Sequence, residues 1–277
     1  MSASCVWRRL LPRIAAVLLA VSAEQVPAGQ PVPPQAEPVF DGEAAYTLSQ
    51  QALGRRLGDY RFTAADGREV RLSALRGRPV VLSLVYTSCY EICSMTTRAL
   101  ARTVRAAHDV LGDESFVVLT LGFDTPVDTP AAMAAFAVEQ GVREADWYFL
   151  GGDSATLAAL TRDLGFTYQR SPKGFDHLLQ TTVLDADGRV YRQIYGEVVE
   201  VSWLVEPLKQ LVFGVRPEDG ALTQIVNRVR MYCVTYDPAT GAYRFDYSLY
   251  IGMAIGGLII AAITGFLVRE IRHARGV

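Results

Sequence analysis

Cys89 and Cys93 stand four positions apart, just past the apolar run Val80 to Val85. Thiols so spaced can hold a soft metal ion or cycle through a disulfide. On a regular helix, side chains at i and i+4 have Cβ atoms about 5–6 Å apart, whereas a disulfide brings them to about 3.8 Å. A disulfide therefore requires Cys89 to lie in the turn before a helix. Two sulfurs bound to one ion at about 2.3 Å each sit roughly 4 Å apart, so the wider spacing accommodates a metal with little strain. The spacing tilts toward a metal without closing the redox alternative.

Two thiolates with an imidazole suit copper, and the chain has only His108, His177 and His273 to offer. His273 follows a long apolar segment near the C-terminal end and falls on its far side. His108 is 15 residues past Cys93 on the same predicted helix, about 22 Å along the axis, too far to share an ion. His177 ends the predicted loop Lys173-Gly174-Phe175-Asp176-His177, from which it can fold back over the thiols. Elimination leaves His177 as the third ligand. A carboxylate at Asp176 can orient such an imidazole, although a solvated loop aspartate is an equally ordinary reading.

The elements that must position these groups follow from hydrophobic periodicity. Tyr60 to Thr63 and Val70 to Leu72, around Asp66-Gly67, read as a hairpin, and Val80 to Tyr86 as a buried central strand. Thr97, Leu100, Val104, Ala107 and Leu111 recur at helical spacing until Gly112. Phe116 to Leu121 reads as a strand, Pro130 to Gln140 as a helix, Trp147 to Leu150 as a strand, and Ser154 to Leu164 as a helix capped by Asp153 or Ser154. A second hairpin, Leu179 to Leu184 with Val190 to Tyr195, and a helix over Glu200 to Phe213 close the pattern. This alternation predicts an α/β fold of thioredoxin-like layout.

Both ends predict export. Arg8, Arg9 and Arg13 precede the short apolar stretch Ile14 to Ala20 and the small residues Val21-Ser22-Ala23, a secretory signal over residues 1–23. A proline-rich leader is expected over 24–56, the folded domain over 57–213, and a membrane-proximal helix and hairpin over 214–247. Residues 248–268 carry no charge and are long enough for a transmembrane helix at about 1.5 Å per residue. Arg269, Arg272 and Arg275 make 269–277 a cytoplasmic tail, which leaves the domain on the extracytoplasmic, periplasmic side. A net charge of −2 with no basic run gives no electrostatic footprint for nucleic acid. With Cys5 in the signal, Cys233 is the odd cysteine of the exported part. It falls in Met231 to Tyr236, read as the first arm of a hairpin turning over Asp237 to Gly241. Cys233 is either a free thiol open to an intermolecular disulfide, to exchange with Cys89 and Cys93 or to metal relay, or a small buried hydrophobe.

From about Leu57 to Leu211 the chain resembles the Sco/SenC family of membrane-anchored copper proteins that help assemble cytochrome oxidase. The resemblance is carried by Asp66-Gly67 to Pro79, Tyr86-Thr87-Ser88-Cys89 with Cys93, Asp124 with Asp128-Thr129-Pro130, Asp176-His177, and Asp185 to Gly188. It implies a thioredoxin-like fold with one copper on Cys89, Cys93 and His177. It also implies delivery of that copper to cytochrome c oxidase subunit II, or reduction of that subunit's cysteines, with a thiol reductant as a further partner. Tyr90 and Ser94 stand where family members usually have proline, and the stronger membrane segment is C-terminal rather than N-terminal, so the geometry of delivery does not transfer.

The competing reading is a thiol–disulfide oxidoreductase with Cys89 and Cys93 as catalytic thiols, one attacking a partner disulfide and the other resolving it. It needs no histidine. A peroxidase of the peroxiredoxin type fits poorly, because Ser83 stands where its proline would be and Thr87 is only two residues before Cys89. A structural copper sensor signalling by contact is a further alternative.

Overall fold

The computed structural model describes residues 39–89, 91–214, 220–237, 242–245 and 247–274. The expected signal peptide, the proline-rich stretch to Pro38 and Tyr90 lie outside the described residues.

The core is a five-stranded sheet. Its strands are β3 (Val80–Val85), β4 (Val117–Gly122), β5 (Trp147–Leu150), β8 (Gln180–Leu184) and β9 (Val190–Tyr195). β3 pairs in parallel with β4, and β4 with β5. β8 runs antiparallel to both β3 and β9. Every residue of β3 and β4 is buried, as continuous apolar runs in the middle of a covered sheet require. Parallel neighbours need crossovers. α2 (Ile92–Leu111) supplies the first and α3 (Pro130–Glu139) the second. The predicted inward face of α2, Thr97, Leu100, Val104, Ala107 and Leu111, is wholly buried, and Gly112 ends the helix at φ 97°. α4 (Ser154–Leu164) is capped by Asp153, whose carboxylate accepts from Thr156 N at 2.8 Å. α5 (Val201–Phe213) packs on α2. This mixed architecture is consistent with the thioredoxin-like layout expected above.

Three elements depart from expectation. α1 (Gly42–Gln51) is a capped helix inside the stretch read as leader, with Asp41 accepting from Ala44 N at 3.0 Å. It turns only Ala45 and Ser49 inward, two small residues that give no apolar periodicity. The stretch read as a loop around His177 is a hairpin of β6 (Tyr168–Ser171) and β7 (Gly174–His177), a two-stranded sheet of its own. Its strands have only four residues each, none of them buried, so neither carries an apolar run. Met231 and Cys233 belong to helix α6 (Ala221–Cys233) rather than to a strand, and the hairpin arm begins at β10 (Val234–Asp237), paired with β11 (Ala242–Phe245). The expected hairpin Tyr60 to Leu72 is present as β1 (Arg61–Thr63) and β2 (Glu69–Arg71). α7 (Ser248–Ala274) closes the described chain.

Candidate metal centre

Both cysteines follow directly from the central strand. β3 ends at Val85, the chain turns with Cys89 N donating to Tyr86 O at 3.1 Å, and α2 starts at Ile92. Cys89 thus lies in the turn and Cys93 in the first helical turn, the arrangement that the disulfide alternative demanded. The Cys93 N–H donates to Cys89 Sγ at 3.2 Å, so that sulfur takes up one of the orphan donors of the helix start. Cys89 is 8% exposed and Cys93 2%. Burial, then its hydrogen bond to Cys89, pushes the Cys93 thiol far above the ordinary range. Tyr86 stands over the pair. Burial, then a hydrogen bond to Cys89, pushes its phenol up to about 12.

The loop after β4 fastens the cysteine turn. Asp128, buried, accepts from Thr87 N and Thr87 Oγ1 at 2.7 Å each through Oδ1, and from Asp124 N at 2.8 Å through Oδ2. Desolvation nonetheless holds its carboxyl above the usual range. Gly122 makes room for it, since a Cβ there would stand 2.3 Å from Asp128 Cβ. Asp124, also buried, pairs with Arg170 of β6 at 3.4 Å, and the Arg170 guanidinium lies 4.7 Å from the centroid of the Phe175 ring of β7. The two aspartates therefore fasten the thiol turn on one side and the histidine hairpin on the other. Sequence reasoning used them only as marks of resemblance. Their signal was an Asp-x-x-x-Asp-Thr-Pro run leaving a buried strand.

His177 ends β7, half-buried among Tyr86, Phe123 and Phe166, with ring centroids 6.2, 5.4 and 5.3 Å away. Burial lowers its pKa, so the neutral ring dominates at physiological pH. Its Nδ1 lies 2.8 Å from Leu178 O. A carbonyl only accepts, so Nδ1 carries the proton and Nε2 keeps its lone pair for a metal. Of the two readings of Asp176, its exposure fits the solvated aspartate, and the Leu178 carbonyl fixes the imidazole. His177 and Cys93 border one cavity of about 30 Å³ together with Thr96, Gln180 and Glu197, room for a water-sized species. Among the described residues, no three His, Cys, Asp or Glu side chains already stand close enough to hold one ion. His108 lies on α2 as expected, stacked on Phe116 at 4.2 Å and remote from the thiols in the chain. His273 is in α7, and the Cys233 side chain lies outside the described residues.

The arrangement offers two soft sulfur donors at a helix start and a neutral imidazole that shares a cavity with Cys93. It suits a thiophilic ion or reversible thiol oxidation.

The SCO1/SenC family model matches residues 49–212. Among solved structures, a protein of Aquifex aeolicus VF5 named as a candidate electron transfer protein is 26% identical, with 61% of this chain and 99% of that one covered and a TM-score of 0.53. A SCO1/SenC family lipoprotein of Bacillus anthracis str. Ames is 19% identical over 57% of this chain and 96% of its own, TM-score 0.52. BsSco, described as a Sco family member with a disulfide switch, is 17% identical over 59% and 96%, TM-score 0.51. The latter two show likeness of fold. No curated protein matches the sequence.

Proposed function

This chain belongs to the SCO1/SenC family, and from that premise we propose that it is a membrane-anchored, extracytoplasmic copper chaperone for cytochrome c oxidase. Copper is its cargo, bound through Cys89, Cys93 and His177 and passed by ligand exchange to oxidase subunit II. One observation carries the reading: Cys93 and the neutral His177 border the same cavity, with the Cys89 sulfur 3.2 Å from Cys93 N. The donor set fits a soft monovalent or divalent copper ion. Gripping it requires the imidazole to approach the sulfurs. The β6/β7 hairpin is suited to that shift because it is hydrogen-bonded within itself rather than to the central sheet. Each ion displaces the Cys93 proton as it binds. Anaerobic copper titration tests the assignment. One ion per chain is expected in the wild type, loading is lost in Cys89→Ser or Cys93→Ser, and affinity falls at least about tenfold in His177→Ala. Full stoichiometry in either serine variant would refute it.

The second reading, a thiol–disulfide oxidoreductase, is favoured by Cys89 standing outside the helix, where a bond to Cys93 is geometrically open. BsSco is itself described by a disulfide switch. Retained function of His177→Ala in oxidase assembly, with copper binding gone, would select it. The two readings share one requirement, a reductant that keeps both thiols reduced for loading.

A further inference from the structure

Helix α6 carries an apolar stripe on the face turned away from the domain. Asn227 borders a cleft with Val212 and Phe213, Met231 packs on the core, and α6 lies against α5. At about 100° per residue, Leu222, Ile225, Val226 and Val229 gather along a line roughly 150–170° from those two. Leu222, Ile225 and Val226 are 80%, 60% and 48% exposed, and Val229 is half-buried. The same spacing sets Arg228 and Arg230 about 90–110° to either side of the stripe. From Gly220 to Tyr236 the sequence has no acidic residue.

The tether limits where this stripe can be. Val234 pairs with Phe245, which puts the end of α6 about 5 Å from the far side of the hairpin. Three steps of about 3.8 Å then reach Ser248. With the one further step from Val234 back to Cys233, the C-terminal end of α6 is held within about 20 Å of the start of α7. The Tyr250–His273 portion of α7 is long and apolar enough to cross a membrane and none of its apolar window is buried. An apolar stripe flanked by cations, at that distance from a hydrocarbon boundary, has the make-up of a helix lying in the interfacial layer.

We propose that α6 is a membrane-surface helix, with Leu222, Ile225, Val226 and Val229 in the headgroup–acyl boundary and Arg228 and Arg230 among anionic headgroups. The proposal rests on reading α7 as the anchor. Because α6 packs on α5 and α5 on α2, whose first turn carries Cys93, seating α6 on lipid sets the tilt of the thiol end over the bilayer.

The full chain reconstituted into vesicles of phosphatidylcholine and phosphatidylglycerol tests this with single tryptophans. The signal of the three native tryptophans is subtracted. Lipids brominated high on the acyl chain should quench Ile225→Trp about threefold more than Thr223→Trp, and less when phosphatidylglycerol is omitted or salt is raised. Equal quenching at the two positions overturns the proposal. So does an Ile225→Trp signal shielded from both bromolipid and aqueous acrylamide only at high protein-to-lipid ratio, which would put a second copy over the stripe. A Leu258→Trp variant, read with bromines deep in the chain, reports insertion of α7 separately and so distinguishes failure of the anchor from failure of the stripe.

Discussion

The Cys93 thiol is held protonated chiefly by burial, and that places a proton in the binding equilibrium. An ion can reach the thiolate only by releasing this proton, so apparent copper affinity should fall about tenfold, or more steeply, for each unit of pH lost below the raised thiol pKa. His177 acts in the same sense but later, because burial lowers its pKa. The ring stays neutral until pH falls through that lowered value, and only then does the slope gain a second proton. Competition titrations under anaerobic conditions at several pH values measure it, and a pH-independent affinity would contradict the assignment of Cys93 as a ligand. Asp128 makes a structural prediction at this scale. Asp128→Ala would leave Thr87 N, Thr87 Oγ1 and Asp124 N without their acceptor, a loss of about 2–4 kcal/mol in a denaturant or thermal melt. Because those donors belong to the cysteine turn and to the loop that pairs with the histidine hairpin, copper affinity should fall in the same variant. Unchanged stability would mean that the latch contributes nothing net.

Between elements, close approach rather than propensity decides. Gly122 ends β4 where Asp128 folds back over the sheet, and a methyl group there meets Asp128 Cβ at 2.3 Å and Met133 Sδ at 2.8 Å. Gly122→Ala should therefore cost about 1–3 kcal/mol by overpacking and loosen the loop that holds the thiol turn, measured as a lower Tm with weaker copper binding. The elements most legible in the sequence were those whose residues are buried in runs or on one helical face. β3, β4, α2, α4 and β9 fall within a residue or two of the periodicity reading, apart from the α2 start, because Val80 to Val85 and the Thr97-to-Leu111 stripe leave few alternatives. α1 was hidden because its inward residues are small and it follows a proline-rich stretch that sets a misleading context. The β6/β7 hairpin was hidden because Gly174 to His177 is short and half-exposed. His177 was reached by elimination as the third ligand, and the structure sets it on one cavity with Cys93, yet its strand, its Leu178 partner and the Asp124–Arg170 link depend on tertiary contacts that no local pattern encodes.

For the molecule as a whole, the one helix long and apolar enough to span a bilayer among the described residues stands at the C-terminal end. Placing an aspartate in the middle of it, as Ile259→Asp or Ile260→Asp, should cost about 2.5–3.5 kcal/mol of insertion free energy and shift the chain toward the alkaline-carbonate-soluble fraction. Full retention in the membrane pellet would point to another anchor. The domain's parallel strands β3 and β4 deliver the thiols and the two aspartates at their carboxyl ends, where open α/β sheets commonly place their ligands. The histidine arrives separately on its own hairpin. On the proposed function, three groups from two separately built pieces close on a single copper ion. X-ray absorption at the copper edge of the anaerobically loaded chain tests it most directly. Two sulfur scatterers and one imidazole nitrogen are expected, with the nitrogen lost in His177→Ala. Identical spectra for wild type and His177→Ala, or a first shell without sulfur, would contradict the claim.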